Sequence, residues 1–183
     1  MKRTAICSPD WFNKSAIYQI NPRTFSKEGT IQAITDEIPF LKDLGFRILY
    51  LCPIFEADEG LDNRSPRQLA SKTDNPKNPY RMNDYFSIDD EYGTMDDLKS
   101  LVSSAHNKGM AVLMDWVANH TSPDNVWVTE RPADWYERDA QGNTTFTADW
   151  SDTANLNYEN KDVWAGMADA MRFWMERGID GFR

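Results

Sequence analysis

Cysteine and histidine are scarce in this chain, two of each in 183 residues, which removes several chemistries at once. Cys7 and Cys52 are too few and too isolated for a disulfide framework or a zinc site and read as two free thiols. With only His106 and His120 to draw on, a metal-assisted hydrolase built on Asp115 and His120 has no second histidine or carboxylate cluster at ligand spacing. Long hydrophobic runs are missing too. No stretch reaches the length of a membrane span, and the basic start at Lys2 and Arg3 leads into no apolar segment long enough for a signal-peptide core. A cytoplasmic protein with no membrane contact is expected. Positive charge is the minority sign, 20 Lys and Arg against 29 Asp and Glu for a net charge of -9. No basic cluster is present to track a phosphate backbone, so no nucleic-acid partner is expected.

Buried strands and amphipathic helices are what the chain does have. Residues 110–114 form a short apolar run entered from Lys108 and Gly109, as a strand covered on both faces of a parallel sheet reads. Strands are also predicted at 16–20, 46–52 and 179–183. Between them, Ile31, Ile34, Ile38, Leu41 and Leu44 share one helical face, although Pro39 either kinks that helix or starts it after a short turn. Thr94 to Asp97 has the form of a capping box ahead of Leu98, Leu101, Val102 and Ala105. Residues 162–177 form the clearest helix, with Val163, Trp164, Met167, Ala168, Met171, Trp174 and Met175 assigned to one face.

Gly45, Gly109 and Gly178 each close a helix and open a strand, giving strand, helix, strand, helix, strand, helix, strand. Such alternation argues for parallel strands joined by right-handed crossovers, in a doubly wound sheet or a barrel. Two features favour the barrel. The long excursions follow strands and never helices, and no glycine-rich phosphate loop follows the first strand. The expected fold is α/β, the first half of a TIM (β/α)8 barrel in residues 1–183, since a closed eight-fold barrel takes roughly 250 residues. Residues 56–83 read as an ordered functional loop, and 121–158 as a small inserted loop domain after the third strand. Trp127, Trp135, Tyr136 and Trp150 in that excursion either line a cleft or form its core, and the core is the preferred reading.

Four motifs carry a resemblance. Asp115 to His120 (DWVANH) resembles the D-x-V-x-N-H signature of the alpha-amylase family of glycoside hydrolases, and residues 178–183 (GIDGFR) resemble the opening of its G-x-x-G-x-R-x-D signature. Residues 75–85 (NPKNPYRMNDY) and 155–157 (NLN) resemble two further family segments, in the family's order. The resemblance implies retaining chemistry on α-glucosidic linkages of starch, glycogen, maltodextrin or a similar oligosaccharide. One carboxylate attacks the anomeric carbon and a second, about 5 Å away, protonates the leaving oxygen. The nucleophile is expected two positions beyond Arg183 and the other carboxylates later still, so these 183 residues alone are expected to be inactive.

By the same resemblance, Arg183 would keep the nucleophile ionised and Asp115 would pair with Arg183. His120 would hydrogen-bond the sugar, Tyr80 would stack on it, and Asp84 would sit among the substrate-binding residues in a structural role. Asn119 matches a residue that in many members ligates a structural calcium, but Asn155 stands where calcium-binding members often carry Asp, so no cofactor is expected. His106 reads as non-functional. The alternative is a non-catalytic half-barrel module for carbohydrate binding or interaction, dimeric if two copies close eight strands. In either case open strand edges would promote self-association.

Overall fold

In the computed structural model, residues 9–60, 64–72, 74–75 and 77–183 are described; Cys7 and the basic start lie outside them. A single turn, α1 (Asp10–Asn13), precedes β1 (Ile17–Ile20), and α2 (Pro22–Phe25) opens on a proline whose fixed φ suits a first turn. Helix α3 (Ile31–Asp43) is capped by the Thr30 hydroxyl, which accepts from Ala33 N–H at 3.3 Å, and buries Ile31, Ile34, Ile38 and Leu41. The helix does not start at Pro39; it runs through it. Pro39 lies on the exposed face, where water can serve the carbonyl left without a donor. Leu44, assigned to the buried stripe, is 57% exposed because it falls past the end of α3.

Strand β2 (Ile48–Leu51) is buried throughout. The segment read as a loop then contains β3 (Phe55–Ala57), α4 (Pro66–Ser71) and β4 (Met82–Ile88), with β3 and β4 paired antiparallel. Helix α5 (Met95–Asn107) starts with a complete capping box, Thr94 and Asp97 each bonding the other's backbone. Strand β5 (Ala111–Met114) leads to β6 (His120–Thr121), α6 (Val126–Glu130), a 3-10 turn at Ala133–Trp135 and β7 (Ala154–Asn155). Then come α7 (Lys161–Met175) and β8 (Gly181–Phe182). Helix α7 buries Val163, Met167, Ala170 and Trp174, whereas Trp164, Ala168 and Met175, expected on its apolar face, are exposed. Trp164 instead donates its indole N–H to the Tyr158 carbonyl at 2.8 Å.

The central sheet is parallel, in the order β1-β2-β5-β8. Each strand adds to the same edge, so the sheet has no reversal of order and hence no switch point of the doubly wound kind. This is the arrangement of the N-terminal part of a TIM barrel. Leu49, Leu51, Val112 and Met114 join the main core with α3, α5 and α7, while Ile48, Tyr50 and Leu113 form a small cluster of their own. That split follows the two-residue period of a strand. No helix among the described residues is long and apolar enough to cross a membrane.

Candidate active-site cleft

The carboxyl ends of adjacent strands bring the first pair of polar groups together. Asp115 N–H donates to the Leu51 carbonyl at 2.8 Å, Arg183 N–H to the Met114 carbonyl at 3.0 Å, and Trp116 N–H to the Arg183 carbonyl at 2.8 Å. With the backbones locked side by side, Arg183 Nη1 donates to Asp115 Oδ1 at 3.2 Å. The Asp115 side chain is buried and that of Arg183 is 71% exposed, so the guanidinium is tied at one end and open to solvent at the other. The Asp115 carboxylate holds Arg183 more firmly protonated than usual.

The second Asp115 oxygen accepts from the Tyr80 hydroxyl at 3.0 Å. Burial, then the nearby Asp115 charge, pushes the Tyr80 phenol above its ordinary range. Tyr50 behaves likewise, raised by burial first and then by its hydrogen bond to Asp115. Sequence reasoning missed Tyr50. Its signal was a hydroxyl inside the otherwise apolar β2, at the position that alternation turns away from the helices.

His120 lies on the other side of Tyr80. Its Nε2 is 3.0 Å from the Tyr80 carbonyl, which fixes a proton on that nitrogen, and burial holds the ring below its ordinary pKa. The segment before it is anchored from beneath by the Tyr85 hydroxyl, which donates to the Val117 carbonyl at 2.6 Å, and by the Tyr158 hydroxyl on the Ala118 carbonyl at 2.6 Å. Tyr80 and His120 share a cleft of about 460 Å³ with Asn78, Trp150, Asp152 and residues of α4. Trp150 is 41% exposed, and its ring centroid lies 5.6 Å from that of His120. This corrects the expectation that Trp150 is core, which holds for Trp127, Trp135 and Tyr136.

Asp84 does not line this cleft. Its carboxylate accepts from Phe86 N–H and the Ser87 hydroxyl, both at 2.9 Å, within its own strand. Asn119 directs Nδ2 toward His120 Nδ1 at 3.3 Å, while Asn155 Oδ1 accepts from the Thr147 hydroxyl at 3.2 Å. Calcium takes six to eight oxygen ligands, and among the described residues no three His, Cys, Asp or Glu gather to hold a metal. His106 is far from the cleft in the fold, at the entry to β8, with Nε2 at 2.8 Å from Asp180 Oδ2.

A family model described as the alpha amylase catalytic domain matches residues 7–183. Trehalose-6-phosphate hydrolase of Bacillus subtilis is 32% identical over 94% of this chain and 35% of its own length. An oligo-1,6-glucosidase of Bacillus sp. strain F5 is 30% identical over 94% of this chain and 38% of its own. Among solved structures, an alpha-amylase from Lactobacillus plantarum superposes with a TM-score of 0.84 at 37% identity, covering 94% of this chain and 38% of that one. The chain thus spans about a third of the length of the curated relatives it matches.

Proposed function

The chain belongs to the alpha-amylase catalytic-domain family, and from that membership we propose that it forms the sugar-holding and charge-orienting part of a retaining α-glucosidic hydrolase or transglycosidase site. The observation that carries this reading is the continuous chain Tyr80, Asp115, Arg183, with His120 on the same cleft. Four residues from three segments far apart in sequence, drawn to one end of a parallel sheet, form an arrangement that chemistry requires and packing does not.

In this reading Tyr80 offers a ring face to the C–H face of a pyranose, while its hydroxyl stays bound to Asp115. His120 donates through Nε2 to the Tyr80 carbonyl and accepts at Nδ1 from the Asn119 amide at 3.3 Å, so both nitrogens are held and the ring serves as a fixed wall of the cleft beside Tyr80. Asp115 fixes the Arg183 guanidinium, whose exposed end would keep a neighbouring carboxylate ionised for attack on the anomeric carbon. The substrate is an α-linked gluco-oligosaccharide, the class that the name oligo-1,6-glucosidase describes for a relative. We further propose that the 183 residues made alone self-associate, because among the described residues β1 and β8 each have one open sheet edge and Ile17 on β1 is 46% exposed.

The test is incubation of the protein at its natural length with an aryl α-glucoside and with 1,4- and 1,6-linked glucose disaccharides, with the product anomer followed by NMR. Release of the α-anomer is expected. Inversion, or neither turnover nor binding of any α-glucoside, overturns the reading.

A further inference from the structure

Arg81 follows Tyr80 directly and is fully buried, yet nothing in the cleft chemistry above uses it. A guanidinium without access to water persists only where acceptors and opposite charge meet its donors. Two buried carboxylates do so unequally. Asp58 accepts from Arg81 Nη2 and also receives the Ser122 hydroxyl. Asp152 stands off, its Oδ2 3.9 Å from Arg81 Nε. Arg81 Nε, Arg81 Nη1 and Asp152 Oδ2 are all buried and make no hydrogen bond among the described residues. One cation therefore serves two carboxylates, bonded to one and only electrostatically linked to the other.

The three groups come from three separate segments. Asp58 follows β3, Arg81 precedes β4, and Asp152 lies in the excursion just before β7. Arg81 is next to Tyr80, Asp152 is two residues past Trp150, and Asp58 reaches the His120 side only through Ser122, which is two residues past His120. Backbone bonds stiffen the hairpin side, where Asp58 N–H donates to the Arg81 carbonyl at 2.9 Å and Ser122 N–H to the Met82 carbonyl at 3.1 Å. On the excursion side, Arg81 attracts Asp152 within the buried cluster, and an exposed pair, Arg67 Nε to Asp149 Oδ2 at 2.9 Å, is a second charge link between the β3–β4 loop and the segment carrying Trp150.

We propose that Arg81 is a positioning residue of the α-glucoside cleft, its buried charge drawing Asp58 and Asp152 to one point and so setting the spacing between the Tyr80 and Trp150 walls. The proposal rests on the α-glucosidic reading above. Without the cation, two buried like charges face each other and the excursion moves outward. Substrate binding then weakens, while the bond-making groups, which Arg81 does not touch, keep their places.

The experiment compares KM and kcat for an α-linked glucose disaccharide in the wild-type protein at its natural length and in Arg81→Met, Arg81→Lys and Asp152→Asn. Near-UV circular dichroism of the tryptophans reports the wall around Trp150, and thermal melting gives the folded fraction. Arg81→Met is expected to raise KM about tenfold with kcat within about threefold of wild type. Arg81→Lys, which restores the charge, recovers most of that loss. Asp152→Asn, nearly the same size, stays folded and raises KM about threefold. Should Arg81→Met fail to fold, the other two variants decide. Unchanged KM in folded Asp152→Asn and Arg81→Lys together with unchanged KM in any folded Arg81→Met, or a fall in kcat alone, overturns the proposal. A wild-type protein that neither binds nor turns over any α-glucoside overturns the functional reading beneath it and the proposal with it.

Discussion

Asp115 is the residue on which the site converges, accepting from Tyr80 through one oxygen and from Arg183 through the other. Asp115→Asn replaces an acceptor with an amide that cannot satisfy both donors and removes the charge that orients Arg183. A loss of about 2 kcal/mol, roughly thirtyfold in kcat/KM, is expected on an aryl α-glucoside. A second residue-scale prediction concerns the loop that delivers Tyr80. Arg23 bonds both Glu91 oxygens and also the Lys77 carbonyl at 2.9 Å, while Asn75 reaches Glu91 at 3.3 Å. The bond from Arg23 holds the Glu91 carboxyl below its ordinary value of 4.5. The folded form therefore binds this proton less readily than the unfolded chain, so the contribution is complete above about pH 4.5 and is lost as pH falls through the folded value. Urea midpoints at pH 7 and pH 3.5 should show the wild-type advantage over Glu91→Gln, about 1 kcal/mol, shrinking at the lower pH.

Elements were read with different success because they depend on different things. β2 and β5 are apolar runs whose burial needs only a sheet covered by helices, and both lie where the hydrophobic pattern puts them. Helix α7 shows the limit of that pattern. Its apolar residues cover more than one face, and only packing against the sheet selects Val163, Met167, Ala170 and Trp174 over Trp164 and Met175. The hairpin of β3 and β4 was invisible as strand pairing because Asp, Asn and Lys fill the segment between, and its ladder carries register shifts. The junction between α7 and β8 sets where Arg183 arrives. Gly178 there has φ +95°, and an added Cβ would lie 2.6 Å from Val102 Cγ1. Gly178→Ala is expected to cost about 2 kcal/mol in chemical denaturation and to displace Arg183 from Asp115.

For the whole molecule, the sheet is covered unequally. Helices α3, α5 and α7 join the main core on one side, while Ile48, Tyr50 and Leu113 make a three-residue cluster on the other. Together with the edges of β1 and β8 that no strand among the described residues pairs, this supports the self-association proposed for the 183 residues made alone. Sedimentation velocity across a tenfold concentration range should show a rising average mass, and a concentration-independent monomer with cooperative unfolding would count against it.

The alternation of strand and helix and the glycine at each junction determined the fold class, because buried strands and helix ends are local properties of a chain; of the cleft, Tyr80 and His120 were named from resemblance. The pairing of Asp115 with Arg183 followed from resemblance alone, since nothing local links residues so far apart. What the tertiary structure decided was contact between segments: Tyr50 and Tyr80 on Asp115, Trp150 in the cleft instead of the core, Asp84 satisfied within its own strand, and Arg81 between Asp58 and Asp152. Those depend on how loops cross the ends of the sheet, where side-chain reach and exclusion of water fix the partners and no periodicity in the sequence records them.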